Sequence, residues 1–326
     1  MRSSNKKHKA AVIVFLLIMA IILVFLDIAM YPCTFVRNDI HAALTEDKDV
    51  IILGSSNGKM GIDPDVLLRG TDKSGQNLCV GGEYPIDAYY ITKLLIEKNK
   101  PEEIIFELDP GYFMTEKEAG NNALLFYHEF PMSKAKLQYY FDYLLSEDIR
   151  STLFPQYEYS LIYEIQHMKE TLTRKINKDY DISYFKGEVQ EYHENGYIEK
   201  YDVDEDDFPA YEPELFDEDK IVDENLEYMA KLIELCHNND IALSIVIMPL
   251  PKETLKEYRD SFDAQWDYFD DYLSSFDSID IYNFNTEYYK SVSHDTSLYV
   301  DYDGHLNAEG AAKFSKTLKK ILAEEK

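Results

Sequence analysis

The segment "DVIILGSSNG", residues 49–58, decides the fold because an apolar run ends abruptly in Gly, Ser, Ser and Asn. Short runs rich in Val and Ile that stop at glycine are typical of fully buried strands. The same pattern returns in "NLCVGG" (77–82) and "EEIIFELDPG" (102–111), and between them "IDAYYITKLLIEKNK" (86–100) places apolar side chains at helical spacing. This alternation of strand, helix and strand predicts a right-handed crossover within a parallel sheet.

The last third of the chain repeats this alternation. Its predicted elements are a helix, two buried strands and a closing helix, in the order "NLEYMAKLIELCHNND" (225–240), "IALSIVIMP" (241–249), "SIDIYNFN" (278–285) and "LNAEGAAKFSKTLKKIL" (306–322). We therefore predict an α/β domain over residues 45–326, a three-layer sandwich around a central parallel sheet. Its two pieces, 45–112 and 222–326, flank a helical and acidic insertion at about 113–221.

Composition limits the classes of partner. The chain has 61 acidic and 33 basic residues and a net charge of −28, so its surface repels phosphate backbones and excludes nucleic acid as a partner. The acidic run "DVDEDD" (202–207) lacks the glycine and the final glutamate of a calcium-binding loop, and the three cysteines match no zinc spacing. We expect neither a metal nor a cofactor.

The N-terminus predicts a membrane anchor. Residues 1–9 carry four basic residues and no acidic one, and an apolar stretch follows over 10–30. This length can cross a bilayer, and the basic flank places residues 1–9 in the cytoplasm. An uncleaved anchor is favoured over a cleaved signal peptide, because small residues are missing at the usual cleavage spacing. Residues 31–44 are then a juxtamembrane spacer, and the α/β domain lies outside the cell membrane.

Polar residues after the first strand are candidates for chemistry. In open parallel sheets ligands bind beyond the carboxyl ends of the strands, where Ser55, Ser56 and Asn57 follow Gly54. A serine at a tight strand-to-helix turn exposes its hydroxyl near free backbone amides, which suits a nucleophile. The other interpretation is a turn whose serine only caps a helix. The segment alone favours the capping turn.

A nucleophilic serine needs a base and a carboxylate that orients the base. His305 is the best candidate, since "DYDGH" places Asp301 and Asp303 just before it and a helix starts just after it. The glycine pair Gly81 and Gly82, at the end of the second predicted strand, offers backbone that a substrate can approach closely.

Together these residues resemble the SGNH (GDSL-like) hydrolase family. "IILGSSNG" is similar to its first block with Ser56 at the nucleophile position, "NLCVGG" to its second with Gly81 or Gly82 as oxyanion donor, and "DYDGHLNAEG" to its last with His305 as base. Gly-Ser-Ser together with an N-terminal anchor is most similar to the membrane-anchored branch. That branch includes DltD-like proteins and the extracytoplasmic partners of polysaccharide O-acetylation.

Two departures from the family pattern stand out. The family has Asp three residues before the histidine, but that position here is Tyr302, so the carboxylate is Asp303 or Asp301. We favour Asp303, because Gly304 can shorten the turn. The third block normally supplies an asparagine to the oxyanion hole, whereas "FELDPGY" (106–112) contains none. The resemblance therefore predicts a site that lacks one oxyanion donor.

The resemblance implies a membrane-anchored, extracytoplasmic serine esterase or acyltransferase. It implies acetyl or D-alanyl esters of a cell-envelope polysaccharide or teichoic acid as substrates, with a membrane-bound O-acyltransferase as partner. The amides of Ser56 and Gly82 would stabilise the oxyanion, with Asn57 beside them. The alternative is a non-catalytic protein of the same fold that binds a polymer or such a partner. A third possibility, an unrelated α/β domain, predicts that Ser56 and His305 lie far apart.

Overall fold

A computed structural model of the chain describes residues 2–117, 125–145, 166–277 and 279–324. Its centre is a sheet of five parallel strands in the spatial order β2-β1-β3-β6-β7. These strands are β1 (Val50–Gly54), β2 (Gly75–Asn77), β3 (Glu103–Glu107), β6 (Ala242–Ile247) and β7 (Asp280–Asn283). Among the sheet strands alone this is the flavodoxin-like order, in which ligands bind at the carboxyl ends of the first and third strands. The predicted α/β class with a central parallel sheet is confirmed.

Helices cover both faces of the sheet. On one face, α5 (Pro85–Lys98) packs against α9 (Asp223–Asn238) over an apolar cluster that includes Ile51, Leu94 and Leu232. On the other face, α12 (Ala308–Glu324) packs against α3 (Ser56–Gly61) and α4 (Pro64–Leu67) over a second cluster. Because every residue of β1 is buried, the strand has no polar face, as its continuous apolar run predicts.

The closing helix follows its predicted pattern. Asn307 caps α12, because its Oδ1 accepts a hydrogen bond from the Gly310 amide at 2.9 Å. The predicted inner stripe of α12 is buried, namely Ala311, Phe314, Leu318 and Ile321. The remaining helices are α1 (Arg2–Met30), α2 (Phe35–Thr45), α6 (Leu125–Glu129), α7 (Lys134–Tyr139), α8 (Gln166–Asn177), α10 (Lys252–Glu257) and α11 (Arg259–Leu273).

The N-terminal segment forms one helix long and apolar enough to cross a membrane, over Lys6–Met30. The segment expected to be a spacer contains α2, whose Val36, Ile40 and Ala43 are buried in the core. The chain that follows the apolar helix is therefore packed onto the α/β domain.

The insertion contributes a two-stranded antiparallel hairpin, β4 (Gln190–Tyr192) and β5 (Ile198–Lys200), which the sequence did not predict. The hairpin docks at the β2 edge, where the Asn77 amide donates to the Asn195 carbonyl at 2.8 Å. The parts of the expected insertion at 118–124 and 146–165 lie outside the described residues.

The second strand is shorter than expected and begins earlier. It ends at Asn77, although the Leu78 and Val80 amides still donate to the carbonyls of Ile52 and Gly54, at 2.8 and 2.9 Å. Residues 78–80 thus stay hydrogen-bonded to β1 beyond the end of β2, and they place Gly81 at the carboxyl end of the sheet.

Candidate active site

The turn after β1 can only be built with glycine at position 54. Gly54 has φ +135°, and a Cβ there would lie 2.4 Å from the Glu107 carbonyl oxygen. The chain then turns at Ser55, whose hydroxyl accepts a hydrogen bond from the Asn57 amide at 3.2 Å and caps α3. Ser56 is the first residue of that helix. Ser55 is therefore the capping serine of this segment, and Ser56 remains the candidate nucleophile.

The structure brings Ser56, His305 and Asp301 together. His305 Nε2 lies 2.7 Å from Ser56 Oγ, and His305 Nδ1 lies 2.7 Å from Asp301 Oδ2. With Nδ1–H donating to the carboxylate, Nε2 is unprotonated and accepts the Ser56 hydroxyl proton. The two side chains are therefore in contact and not far apart.

The expectation that Asp303 orients His305 is wrong. Gly304 does permit a tight bend, with φ +102°, but the bend is closed by a hydrogen bond from the Val300 amide to the His305 carbonyl. That closure sets Asp301, not Asp303, against the ring. Asp301 Oδ1 also accepts the amides of Asp303 and His305, at 3.0 and 3.2 Å, so the turn itself fixes the carboxylate.

The electrostatics of the pair follow from this contact. Burial opposes charge on the His305 imidazole, but the hydrogen bond and negative charge of Asp301 outweigh it, so the pKa of His305 is raised above 6.5. Burial likewise opposes charge on Asp301, yet its hydrogen bonds from His305 leave the pKa of Asp301 below its usual value. Asp301 is thus ionised whenever His305 accepts a proton.

The glycine pair takes two different positions. Gly81 lies against the serine, because a Cβ at Gly81 would be 3.7 Å from Ser56 Cβ and 4.0 Å from Ser56 Oγ. Gly82 has φ +84°, and its amide donates to the Tyr112 hydroxyl at 3.0 Å. The Gly82 amide, which was expected to stabilise an oxyanion, thus donates to Tyr112 in this structure. The Ser56 amide has no hydrogen-bond acceptor among the described residues.

The loop after β3 explains the position of Tyr112. Asp109 Oδ1 accepts the Gly111 amide at 2.9 Å and caps the short 3-10 turn Pro110–Phe113. Burial raises the pKa of Asp109 to about 6. The turn points Tyr112 at Gly82, where its ring packs edge-on against Tyr84 at 5.0 Å between centroids.

Two buried glutamates, Glu83 and Glu107, accept hydrogen bonds from the turn between β1 and α3, and neither was predicted from the sequence. The Gly54 amide donates to Glu83 Oε2 at 3.1 Å and the Ser55 amide to Glu107 Oε2 at 2.6 Å. Burial raises the pKa of Glu107 to about 8 and that of Glu83 well above its usual value. For Glu107 the available signal was a glutamate at the carboxyl end of a strand with an apolar centre, as in "EIIFE".

A cavity of about 500 Å³ is lined by Asn57, the residue after Ser56, and by Asp303, two residues before His305. Asn57 lies in its wall, buried, with an Oδ1 that has no hydrogen-bond partner among the described residues. Asp109, Tyr112, Tyr211 and Asp303 also line it. Asp303 thus faces the cavity rather than the His305 ring.

A larger cavity of about 750 Å³ runs along the outer face of α12, lined by Leu298, Phe314 and several lysines. Neither cavity is lined by Ser56, His305 or Asp301 themselves. Only the smaller of these two is lined by their chain neighbours Asn57 and Asp303, so it is the candidate binding site. Within the described ranges, no three His, Cys, Asp or Glu side chains are grouped to hold a metal ion.

Comparisons with known proteins show no family for the chain. No family model matches the chain, and no curated protein matches it. A solved structure from Streptococcus pneumonia that is named for platelet activating factor is similar over 88% of this chain and 91% of its own. The identity is 11% and the TM-score 0.39. The chemistry assigned to the site rests on its own residues and distances.

Proposed function

We propose that this protein is a serine esterase or acyltransferase of the SGNH type. The observation that carries the proposal is the continuous contact from Ser56 Oγ through both ring nitrogens of His305 to Asp301, at 2.7 Å for each step. A histidine placed between a hydroxyl and a buried carboxylate is the arrangement that activates serine for acyl transfer.

The residues act in order. Ser56 Oγ attacks the ester carbonyl carbon while its proton passes to His305 Nε2. The carbonyl electrons move onto oxygen, which the Ser56 amide stabilises. When the bond to the leaving oxygen breaks, His305 returns the proton to that oxygen and an acyl-serine remains. Water or an acceptor hydroxyl then attacks the acyl-serine by the same route, with Asp301 holding the imidazolium throughout.

We propose further that the domain is anchored by α1 on the outer side of the cell membrane and acts on acyl esters of an envelope polysaccharide or teichoic acid. The four basic residues before the apolar helix support this orientation. Acetyl and D-alanyl groups and a membrane-bound O-acyltransferase partner come from the family resemblance. Protease added to right-side-out membrane vesicles should digest the domain. Protection of the domain would contradict the orientation.

Activity is tested with the full-length chain in detergent, using p-nitrophenyl acetate and a fluorophosphonate probe. We expect hydrolysis by the wild type, covalent labelling at Ser56, and loss of both in Ser56→Ala. Thr173→Ala, at an exposed site where the hydroxyl bonds only the Lys169 carbonyl of its own helix, is a control for handling. Hydrolysis that persists in Ser56→Ala would contradict the nucleophile. No hydrolysis and no labelling in the wild type would favour the non-catalytic alternative.

A further inference from the structure

The oxyanion side of the site has a gap that one residue can fill. The loop after β3 holds no asparagine, and its Asp109 caps the Pro110–Phe113 turn. The Gly82 amide already donates its hydrogen bond to the Tyr112 hydroxyl. Among the described residues, the amides of Ser56 and Gly81 have no hydrogen-bond acceptor and remain as backbone donors, whereas the side-chain donor that an asparagine in this loop would supply is missing. Each donor of an oxyanion hole is worth about 10²–10³ in rate.

We infer that the Tyr112 hydroxyl is a catalytic residue that donates a hydrogen bond to the oxyanion formed at Ser56. This inference rests on the proposed function and names a further group in the same site.

Position is the first support. Gly81 touches Ser56 on one side, and the next amide along the chain, Gly82, is 3.0 Å from Tyr112 Oη. The Gly81–Gly82 peptide therefore spans from the nucleophile to the tyrosine. Tyr112 also lines the 500 Å³ cavity together with Asn57, the residue after Ser56, so it borders the candidate binding site.

Hydrogen-bond capacity is the second support. A phenol has one proton to donate and can accept at its oxygen. The Gly82 amide donates to a lone pair of the Tyr112 oxygen and so orients the hydroxyl. Among the described residues, no acceptor is found for the Tyr112 hydroxyl proton. Burial, with the negative charge of Asp109, raises the pKa of Tyr112 to about 12. The hydroxyl therefore stays protonated at neutral pH and remains a donor.

The attack of Ser56 on the ester requires no proton transfer from Tyr112. As Ser56 Oγ bonds to the carbonyl carbon, the π electrons move onto the carbonyl oxygen, and Tyr112 O–H donates to that anion. When the electrons return and the leaving oxygen departs, His305 supplies its proton. Tyr112 keeps its own proton throughout, so the Gly82 amide acts through the tyrosine by polarising and orienting its hydroxyl.

The test compares Tyr112→Phe with Tyr84→Phe in the full-length chain. Both variants lose one hydroxyl from the same edge-on ring pair, but the Tyr84 hydroxyl faces Thr115 Oγ1 at 3.1 Å instead of Gly82. We expect Tyr112→Phe to lower kcat/KM for p-nitrophenyl acetate by about 10²-fold, mostly in kcat, because the interaction forms only in the transition state. Tyr84→Phe should leave kcat/KM near the wild-type value.

A thionoester of the same acyl group distinguishes catalysis from structural support. Sulfur is a weak hydrogen-bond acceptor, so the wild type should prefer the oxygen ester strongly, and Tyr112→Phe should lose much of that preference. An unchanged kcat/KM in Tyr112→Phe, or an equal loss for both esters, would overturn the inference while Ser56→Ala still abolishes hydrolysis. If Ser56→Ala remains active, the proposed function fails first and this inference falls with it.

Discussion

Asp301 Oδ2 lies 2.7 Å from His305 Nδ1, although Asp303 is closer to His305 in the sequence. The turn that joins them is closed between Val300 and His305, and Asp301 accepts two of its amides. Backbone amides thus hold the Asp301 carboxylate in place independently of the His305 ring. The carboxylate therefore loses little conformational entropy when it pairs with the imidazolium. A spacing of four residues can therefore serve where three is the family pattern.

The two aspartates should respond differently to removal of charge. Asp301→Asn should lower kcat by about 10⁴-fold, because it removes the carboxylate that fixes the tautomer and stabilises the imidazolium. Asp303→Asn is the matched control in the same turn and should retain most of the hydrolysis of p-nitrophenyl acetate. Equal losses in the two variants, or a larger loss in Asp303→Asn, would contradict the assignment of Asp301.

The pH profile should report the raised pKa of His305. The imidazole must be neutral to accept the Ser56 proton, so kcat/KM should rise with pH to a plateau, and the midpoint should lie above 6.5. In Asp301→Asn the main cause of the raised pKa is lost, so the midpoint of the residual activity should move to lower pH. The measurement is kcat/KM for a non-ionising ester from pH 5 to 9. A midpoint that stays in place in Asp301→Asn would contradict the pairing.

Adjacent serines should separate stability from catalysis. Ser55→Ala removes the cap of α3 and should lower the free energy of unfolding by about 0.5–2 kcal/mol while Ser56 hydrolysis persists. Ser56→Ala should have the reverse effect, with stability near the wild type and no hydrolysis. Urea unfolding and initial rates on the same preparations provide both readouts. Loss of hydrolysis in a folded Ser55→Ala protein would reopen the choice between the serines.

Sequence patterns predicted the sheet and the helices that cover it because burial imposes a local periodicity. The runs that form β1, β3, β6 and β7 are continuous and apolar, and the capping Asn307 precedes a regular stripe. The same patterns carry no information on contacts set by turns or by distant elements. Asp301 was misjudged because the closing hydrogen bond of the turn is not encoded in spacing.

Tyr112 and the glutamates beneath the turn were missed for a related reason. Their importance depends on meeting Gly82, Gly54 and Ser55 from other strands, and only the fold supplies those neighbours. The hairpin β4–β5 has short strands in an acidic segment, so no periodicity distinguished it from a solvated loop.

The ion pair between Lys59 and Asp39 connects the serine helix to the segment that follows the apolar N-terminal helix. Lys59 Nζ lies 2.7 Å from Asp39 Oδ2, and each residue is 1% exposed. Asp39 Oδ1 also accepts from Tyr192 and Gln76, at 2.7 and 3.1 Å, so the carboxylate joins α2, α3, β2 and the hairpin. Pairs this deeply buried are costly to break from one side, because the remaining charge is left without compensation.

Lys59→Met or Asp39→Asn alone should therefore lower the free energy of unfolding by about 3–5 kcal/mol. The double variant should lose much less than the two single losses combined, because it leaves no unpaired ammonium in the core. Urea unfolding of the full-length chain in detergent measures the free energy of unfolding of the three variants. Lys231→Met is the control, because it breaks an exposed ion pair with Glu227 and should change that free energy little. Additive losses in the double variant would show that the two side chains stabilise the fold independently, and that the ion pair does not join α2 to the serine helix.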